Sequence, residues 1–312
     1  MIADVVKNES KNEGKLKYGL FLGCNIPFNR PDVEQAMRKI FPALGVEIDD
    51  LMGQSCCPTW GTMPSIDIVA WCAVAARNLC LGEEKGIDLM TACNSCYGSL
   101  NEARHKMLTN PDILKSVNDI LSKIGKKYEG RAKCRHVAWV LYKDVGLERI
   151  KESIKYTLDD ITIAVQPGCH FLWPSEVYPD KEEDPFNPKV LRELCEVLGA
   201  EAPYYSKLVD CCGMGALRST DPEKSFTLVK EKLECIKEEL DADLIVTTCS
   251  SCLIQLDDAQ ERLRKSGKLN FSIPVLHYVQ LLALCMGFDP EQVAGISVTP
   301  RDEIIDKIIN KR

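Results

Sequence analysis

Two sets of five cysteines stand out among the 16 cysteines of the chain, because both sets have the same order and similar spacing. In each set a single cysteine is followed by a doubled cysteine and then by a Cys-x-x-Cys pair. The intervening segments have 31 and 35 residues in the first set and 41 and 36 in the second. The members are Cys24, Cys56, Cys57, Cys93 and Cys96 in the first set, and Cys169, Cys211, Cys212, Cys249 and Cys252 in the second. Thiols at such spacings bind soft metal ions, exchange electrons or form disulfides.

The composition narrows these three kinds of chemistry. A chain of 312 residues can form two domains that each bury a core, so stability does not require disulfides. The first residues lack the apolar core of a signal peptide, and no 18 consecutive residues are apolar. We therefore expect a cytoplasmic protein without a transmembrane segment, and reduced thiols in that compartment favour metal or redox sites. The net charge of −7 argues against nucleic acid as a partner.

The matching cysteine sets indicate an internal duplication with a period of roughly 150 residues, much longer than the repeats of solenoid proteins. An apolar segment precedes the leading cysteine and the Cys-x-x-Cys pair of each set, and helical sequence follows each pair. We therefore predict two similar domains, at residues 16–150 and 151–312. Residues 1–15 are polar and rich in lysine, which predicts a flexible N-terminal tail.

The pattern of apolar residues predicts an α/β fold in which each domain has a small, mainly parallel sheet flanked by helices. Predicted strands lie near residues 17–22, 89–92, 161–165, 244–248 and 272–276. Predicted helices cover residues 32–41, 66–81, 95–108, 188–198, 222–240 and 253–265. Open α/β sheets bind ligands beyond the carboxyl ends of their strands. Since the leading cysteine and the first cysteine of the pair both end predicted strands, we expect the five cysteines of each set to converge.

The number of thiols bears on the metal. A zinc site takes four ligands, and so does a standard two-iron or cubane cluster. A lone Cys-x-x-Cys pair also occurs in zinc ribbons and in thioredoxin-like redox sites. Here a fifth cysteine recurs in both sets, and the thiolates of adjacent residues reach two different irons more easily than one. The pattern therefore favours a polynuclear iron–sulfur centre in each half over zinc.

Other residues near the cysteines are weaker candidates. His170 directly follows a cysteine of the second set and is a candidate catalytic residue. Arg30 and Arg218 follow cysteines of the two sets and are candidates for binding an anionic substrate, with solvation at the surface as the alternative. His136 and His277 precede matching helix-like segments, where a structural role is at least as plausible as a place near the site. We expect most of the six remaining cysteines to be buried as small hydrophobic residues.

The double motif resembles the cysteine-rich CCG domain family, and most closely the family of heterodisulfide reductase B subunits from methanogenic archaea. The resemblance is carried by the ten cysteines, by Gly213 after the second doubled cysteine, and by the sequences LGC and PGC at the leading cysteines. It extends from about Lys17 to Phe288. Pro58 stands where the first half should have the glycine of the motif, which leaves open whether both halves bind identical centres.

The resemblance implies that the five cysteines of each half bind one noncubane [4Fe–4S] cluster, and that the two clusters face each other across the domain interface. The substrate would be the mixed disulfide of coenzyme M and coenzyme B, which is split into two thiols between the clusters. Electrons would arrive from a ferredoxin-like iron–sulfur subunit of the reductase, itself supplied by a flavin-bearing subunit.

Two other functions remain open at this stage. The first is a CCG electron-transfer subunit of another oxidoreductase, in glycolate or lactate oxidation or in quinone-linked fumarate reduction. The second is a zinc-binding assembly module without enzymatic activity. The complete set of ten cysteines favours the reductase over the electron relay. Colourless protein that contains zinc and no iron would exclude the enzyme in favour of the assembly module.

Overall fold

The computed structural model describes residues 16–59, 61, 63–180 and 182–310. The tail predicted at residues 1–15 lies outside the described residues. Two parallel sheets flanked by helices form the described part, one sheet in each half. This confirms the predicted α/β class with two small, similar sheets. No helix within the described ranges has the length and apolar character needed to span a membrane.

The first sheet is built from β1 (Lys17–Leu20), β2 (Glu47–Asp50), β3 (Leu89–Thr91) and β4 (Cys134–His136). Its strands are all parallel and lie in the order β2-β1-β3-β4. The two central strands are the two predicted from apolar sequence. The edge strands β2 and β4 were not predicted, because their sequences, EIDD and CRH, contain no apolar run.

The second sheet repeats this plan with β5 (Ile163–Gln166), β6 (Leu244–Thr247) and β7 (Val275–His277). The order β5-β6-β7 is again parallel. A single parallel bridge between Thr162 and Glu201 extends the sheet beyond β5, at the edge that β2 occupies in the first half. The two sheets therefore share one topology, with β6 in the place of β3.

Helices fill the connections between these strands. They are α1 (Asn25–Asn29), α2 (Pro31–Ala43), α3 (Met63–Ile66), α4 (Ile68–Lys85), α5 (Asn94–Thr109), α6 (Pro111–Ser122), α7 (Val137–Trp139), α8 (Leu147–Ser153), α9 (Cys169–Leu172), α10 (Val190–Glu196), α11 (Ala216–Thr220), α12 (Pro222–Glu239), α13 (Ser250–Lys265), α14 (Tyr278–Cys285), α15 (Pro290–Ala294) and α16 (Asp302–Ile309). A π-helical segment, Val140–Val145, continues α7, and a 3₁₀ turn spans Ser175–Val177. Each of the six predicted helices is present, with its ends shifted by a few residues.

Helices of the two halves pack against each other. The helix α14 of the second half packs against α2 of the first half, and α7 packs against α10 of the second half. The ring of Trp139 stacks on Phe171 across this boundary, with centroids 5.7 Å apart. The buried apolar side chains of both halves accordingly form one continuous core. This packing fixes the carboxyl ends of the two sheets relative to each other.

Candidate metal centre

The cysteines sit where the strands of the two sheets end. Cys93 follows β3 and is the N-terminal cap of α5, and Cys249 follows β6 and caps α13 in the same way. Neither cap forms a side-chain hydrogen bond to its helix. Cys24 caps α1 shortly after β1, and Cys169 begins α9 after β5. Helix N-termini present free N–H groups and a partial positive charge, which favour anionic sulfur at these positions.

The structure brings all ten cysteines of the two sets together. Each thiol lies near enough to the next one to shift its pKa, so that the ten form a continuous file. The order along the file is Cys24, Cys56, Cys57, Cys96, Cys93, Cys249, Cys252, Cys212, Cys211 and Cys169. Each set thus occupies one half of the file, and the contact between Cys93 and Cys249 joins the two halves. All are free thiols.

Two cavities adjoin the file, one for each set. The smaller one, of ≈ 230 Å³, is lined by all five cysteines of the second set. The larger one, of ≈ 460 Å³, is lined by four cysteines of the first set, the exception being Cys56. The two cavities share a wall made of Thr59, Ser95, Met214, Gly215, Ala216 and Ser251. Ligands held by the two sets would therefore face each other across this wall.

The packed thiols shift each other's acidity. Hydrogen bonds from Cys56 and Cys96 lower the pKa of Cys57 to about 5. Hydrogen bonds from Cys169 and Cys212 lower the pKa of Cys211 to about 2. The pKa of Cys96 is raised well above its ordinary value by its contacts with Cys57 and Cys93. Each set therefore contains a thiol that gives up its proton readily, and the thiolate is the form that binds metals.

The residues around each set fit a bulky sulfur-ligated group. Gly23 lies so close to Cys96 that a Cβ on the glycine would be 2.6 Å from the Cys96 sulfur. Gly168 holds the same position in the second half, where a Cβ would be 3.3 Å from the sulfur of Cys252. Five thiols, a cavity beside them and glycines that leave room next to the sulfur atoms are compatible with an iron–sulfur cluster at each set. Among the residues that the structure describes, no group of three or more His, Cys, Asp or Glu side chains is arranged to hold a single metal ion.

Polar residues of each Cys-x-x-Cys pair reach into the opposite half. The side-chain amide of Asn94 donates to the carbonyl oxygen of Pro167, at 2.6 Å, two residues before Cys169. In the other direction Asn25 donates to the hydroxyl oxygen of Ser251, at 2.9 Å. No sequence pattern predicts these contacts, because they depend on how the halves are placed. They hold the leading cysteine of each set against the pair of the other set.

His170 lies in the wall of the smaller cavity and is largely buried, with 9% of its surface exposed. Burial lowers the pKa of its imidazole to about 4. The ring packs on α5, since a Cβ on Gly98 would be 3.1 Å from its Nδ1 atom. The structure thus places His170 beside the second set, as its position after Cys169 suggests.

The two arginines considered for substrate binding are engaged in ion pairs. Arg30 is 3% exposed, and its guanidinium lies 3.2 Å from Asp32 and 3.7 Å from Asp257. Arg218 donates to Gln255 at 2.7 Å and pairs with Asp258. Neither arginine lines either cavity. These placements favour structural roles, and Arg30 in particular joins the first half to the second.

The histidines of the matching helices are also structural. Nδ1 of His277 accepts from the Val279 amide at the start of α14, and its Nε2 lies 3.1 Å from the Ala92 carbonyl, beside Cys93. His136 caps α7 in the same way through Ala138. The prediction that most remaining cysteines are buried is confirmed for all six, which are Cys72, Cys80, Cys134, Cys195, Cys235 and Cys285.

The fold and the thiol file define a class of protein, and comparison with known proteins agrees. The family model described as the cysteine-rich domain, CCG, matches residues 18–101 and 163–257. The chain belongs to this family, and the two matches fall on the two sheets and their cysteine sets.

Particular members of the family are similar over nearly the whole chain. A protein of Archaeoglobus profundus, described as like the heterodisulfide reductase B subunit, is 86% identical over 95% of this chain and 100% of its own length. The B subunit of the ferredoxin/F(420)H(2)-dependent CoB-CoM heterodisulfide reductase from Methanosarcina acetivorans is 38% identical over 89% of this chain and 91% of its own. A crystal structure of a hypothetical protein from Helicobacter pylori shares the fold. Its TM-score is 0.70 and its identity is 15%, over 89% of this chain and 50% of the other.

Proposed function

We propose that this chain is the catalytic B subunit of a heterodisulfide reductase, which reduces the mixed disulfide of coenzyme M and coenzyme B to two thiols. The observation that carries the proposal is the pair of cavities, each lined by its own cysteine set and separated by one shared wall. A disulfide has two sulfur atoms, and its cleavage gives two thiols that each need a binding place. Two facing sites meet this requirement.

The cysteine sets would each hold a noncubane [4Fe–4S] cluster through five thiolates. When bound, the clusters would supply the two electrons of the reduction and iron sites that take up sulfur. The cysteines with lowered pKa values, Cys57, Cys93 and Cys211, are ready to serve as ligands in the thiolate form.

The protein itself would position the substrate and supply hydrogen bonds. Ser95 and Ser251 each lie inside a Cys-x-x-Cys pair and line both cavities, so their hydroxyl groups stand between the two sites. His170 offers its imidazole at the second site. The backbone at Gly215 forms part of the shared wall and leaves room for a substrate, because nothing lies within 4 Å of the place where its Cβ would be. These groups can orient a disulfide between the two sets.

By the same proposal the chain works in a complex. Its partners would be a ferredoxin-like iron–sulfur subunit and a flavin-bearing subunit, since each reduction requires electrons from outside the chain. The relatives that carry the reductase name are themselves described as B subunits or as similar to them.

The first test is metal and sulfide analysis of the full chain purified without oxygen. We expect about eight iron and eight sulfide per chain, and a brown colour. Cys212→Ser should lower the iron content by about half. Cys195→Ser, which changes a buried cysteine outside the sets, is the matched control and should leave the iron content unchanged. Colourless protein that contains zinc and no iron would instead support an assembly module.

The second test is catalysis by the iron-loaded chain in complex with its electron-donating subunits. With a low-potential donor such as reduced methyl viologen, the mixed disulfide should yield two thiols for every two electrons consumed. Iron-loaded complex that passes electrons to another acceptor but releases no thiol would reject the reductase in favour of an electron relay.

A further inference from the structure

A lysine is buried beneath the second cysteine set. Lys232 lies on the inner face of α12 with no exposed surface, and its ammonium group donates to the carbonyl oxygen of Lys207 at 2.5 Å. The ring of Tyr205 lies 5.7 Å from the ammonium nitrogen. Lysine is rarely found fully buried without a partner of opposite charge. Its place in the core therefore calls for an explanation.

The described residues give Lys232 no carboxylate partner within ion-pair distance. Asp210 acts on it electrostatically, but Asp210 itself pairs with Lys207 at 3.4 Å. The other groups that act on Lys232 electrostatically are thiols of the second set, namely Cys212, Cys252 and Cys211. Burial lowers the pKa of Lys232 to about 8, and these acidic groups oppose the effect. Three thiols of the cysteine set, together with Asp210, are thus the negative groups that act on the lysine.

The first half has a basic residue, Arg77, at the position that Lys232 occupies relative to its cysteine set. Arg77 follows Cys57 by 20 residues, as Lys232 follows Cys212 by 20 residues. Arg77 donates to the carbonyl oxygen of Gly53 at 2.8 Å, in the loop before its doubled cysteine, as Lys232 donates to Lys207. Arg77 is only half-buried, whereas Lys232 is fully buried. Water therefore screens the first cation more than the second.

We propose that Lys232 is the charge-compensating residue of the second cysteine set. Its ammonium group offsets the negative charge of five thiolates, holds the iron–sulfur centre there more tightly, and raises its reduction potential above that of the centre in the first half. The inference rests on the proposed cluster binding. A nearby positive charge stabilises the more negative, reduced state of a centre, and the low dielectric of a buried site strengthens the effect. Electrons entering the chain would then reside on the second centre.

The experiment uses the full-length, iron-loaded chain and five variants, four at lysines of α12 and one at Arg77. Lys232→Met removes the charge and keeps the length of the side chain, while Lys232→Gln retains a donor for the Lys207 carbonyl and is used if the methionine variant does not fold. Lys232→Arg retains the charge. Lys230→Met is the control on the same helix, because Lys230 pairs with Glu234 at the surface.

The main readout is a redox titration that is monitored by electron paramagnetic resonance. The comparison is made at the potential where half of the second centre of the wild type is reduced. At this potential the ratio of oxidised to reduced centre should be about tenfold higher in the neutral variants, which corresponds to a reduction potential lower by about 59 mV for one electron. They should also lose iron to a chelator about tenfold faster than the wild type. Lys232→Arg and Lys230→Met should behave like the wild type. Arg77→Met serves to assign the signals to the two centres. The signal whose potential shifts in Lys232→Met should keep its wild-type potential in Arg77→Met.

The outcomes separate this inference from the proposed function. Wild-type chain without iron and sulfide would reject cluster binding itself. Wild-type chain with two centres, beside neutral Lys232 variants that keep the same potentials and the same rate of iron loss, would overturn the role of Lys232 alone. An equal shift in Lys230→Met would also overturn it, because the effect would then be one of net charge.

Discussion

Gly23 lies directly against the thiol of Cys96, with the position of a Cβ on the glycine only 2.6 Å from the sulfur atom. The contact brings the leading cysteine of the first set to the end of its Cys-x-x-Cys pair. The glycine has a φ of 64°, in the left-handed region that disfavours other residues. Gly23 is therefore favoured for two reasons, its left-handed backbone and the lack of space for a Cβ, and the two reasons can be separated by experiment.

We expect Gly23→Ala to cost the chain about half of its iron. The alanine methyl group would displace the Cys96 sulfur, in addition to the left-handed backbone cost of about 1–2 kcal/mol. Gly53→Ala is the matched control, because Gly53 has a φ of 84° and nothing within 4 Å of its Cβ position. It should lose similar stability and keep its iron. Equal iron content in the two variants would show that the Gly23–Cys96 contact does not shape the site.

The convergence of the cysteines could be predicted from the sequence because it depends on local features. Apolar strands that end at a cysteine bring the thiols to one edge of a parallel sheet, whatever the rest of the chain does. The edge strand β2 could not be predicted in this way. Its sequence EIDD has no apolar face, and it forms because β1 offers a parallel edge and Lys17 pairs with Glu47 at 2.7 Å.

The contacts between the halves could not be predicted, because they depend on the placement of one domain against the other. Asn94 and Ser251 look like ordinary polar residues inside their Cys-x-x-Cys pairs. Lys232 is different, because the sequence pattern of α12 places it on the apolar face of the helix together with Val229, Leu233 and Ile236. A lysine among buried positions of an amphipathic helix indicates either a buried charge or a side chain that reaches the surface.

Replacing Arg30 should affect stability and leave substrate recognition unchanged. Arg30→Met would leave Asp32 and Asp257 buried with less compensation, so we expect a loss of about 3 kcal/mol in the free energy of unfolding. Arg38→Met removes ion pairs at the surface and should cost at most about 1 kcal/mol. Denaturant unfolding measures both. A raised KM with unchanged stability in Arg30→Met would return Arg30 to the substrate site.

Removing the side chain of Asn94 should loosen the second set from the first half of the chain. Asn94→Ala removes the shorter of two hydrogen bonds to the buried carbonyl of Pro167, which still accepts from the Thr248 hydroxyl at 3.1 Å, so we expect a cost of about 1 kcal/mol. Amide hydrogen exchange should then increase in the segment that leads to Cys169. Asn118→Ala breaks bonds to Tyr128 within the first half and serves as the control. Exchange near Cys169 that rises equally in both variants would argue against a specific link between the halves.

The buried histidines predict that the chain loses stability in mild acid. Burial lowers the pKa of His277 from 6.5 to about 4 and that of His136 to about 3. The unfolded chain therefore binds more protons than the folded chain between these values and about 6.5. The stability contributed by the neutral rings is complete above about 6.5 and is lost as the pH falls, by up to about 1.4 kcal/mol per pH unit for each histidine.

A single substitution can isolate this effect. His277→Asn retains a side-chain acceptor for the Val279 amide and removes the titrating ring. We expect the variant to be less stable than the wild type at neutral pH, because the contact with the Ala92 carbonyl is lost, and to lose less stability between pH 6.5 and 4. His105→Asn changes an exposed histidine of α5 and should keep the wild-type slope. If His277→Asn and the wild type have the same slope, the neutral imidazole of His277 is not the group that links the stability of the two halves to pH.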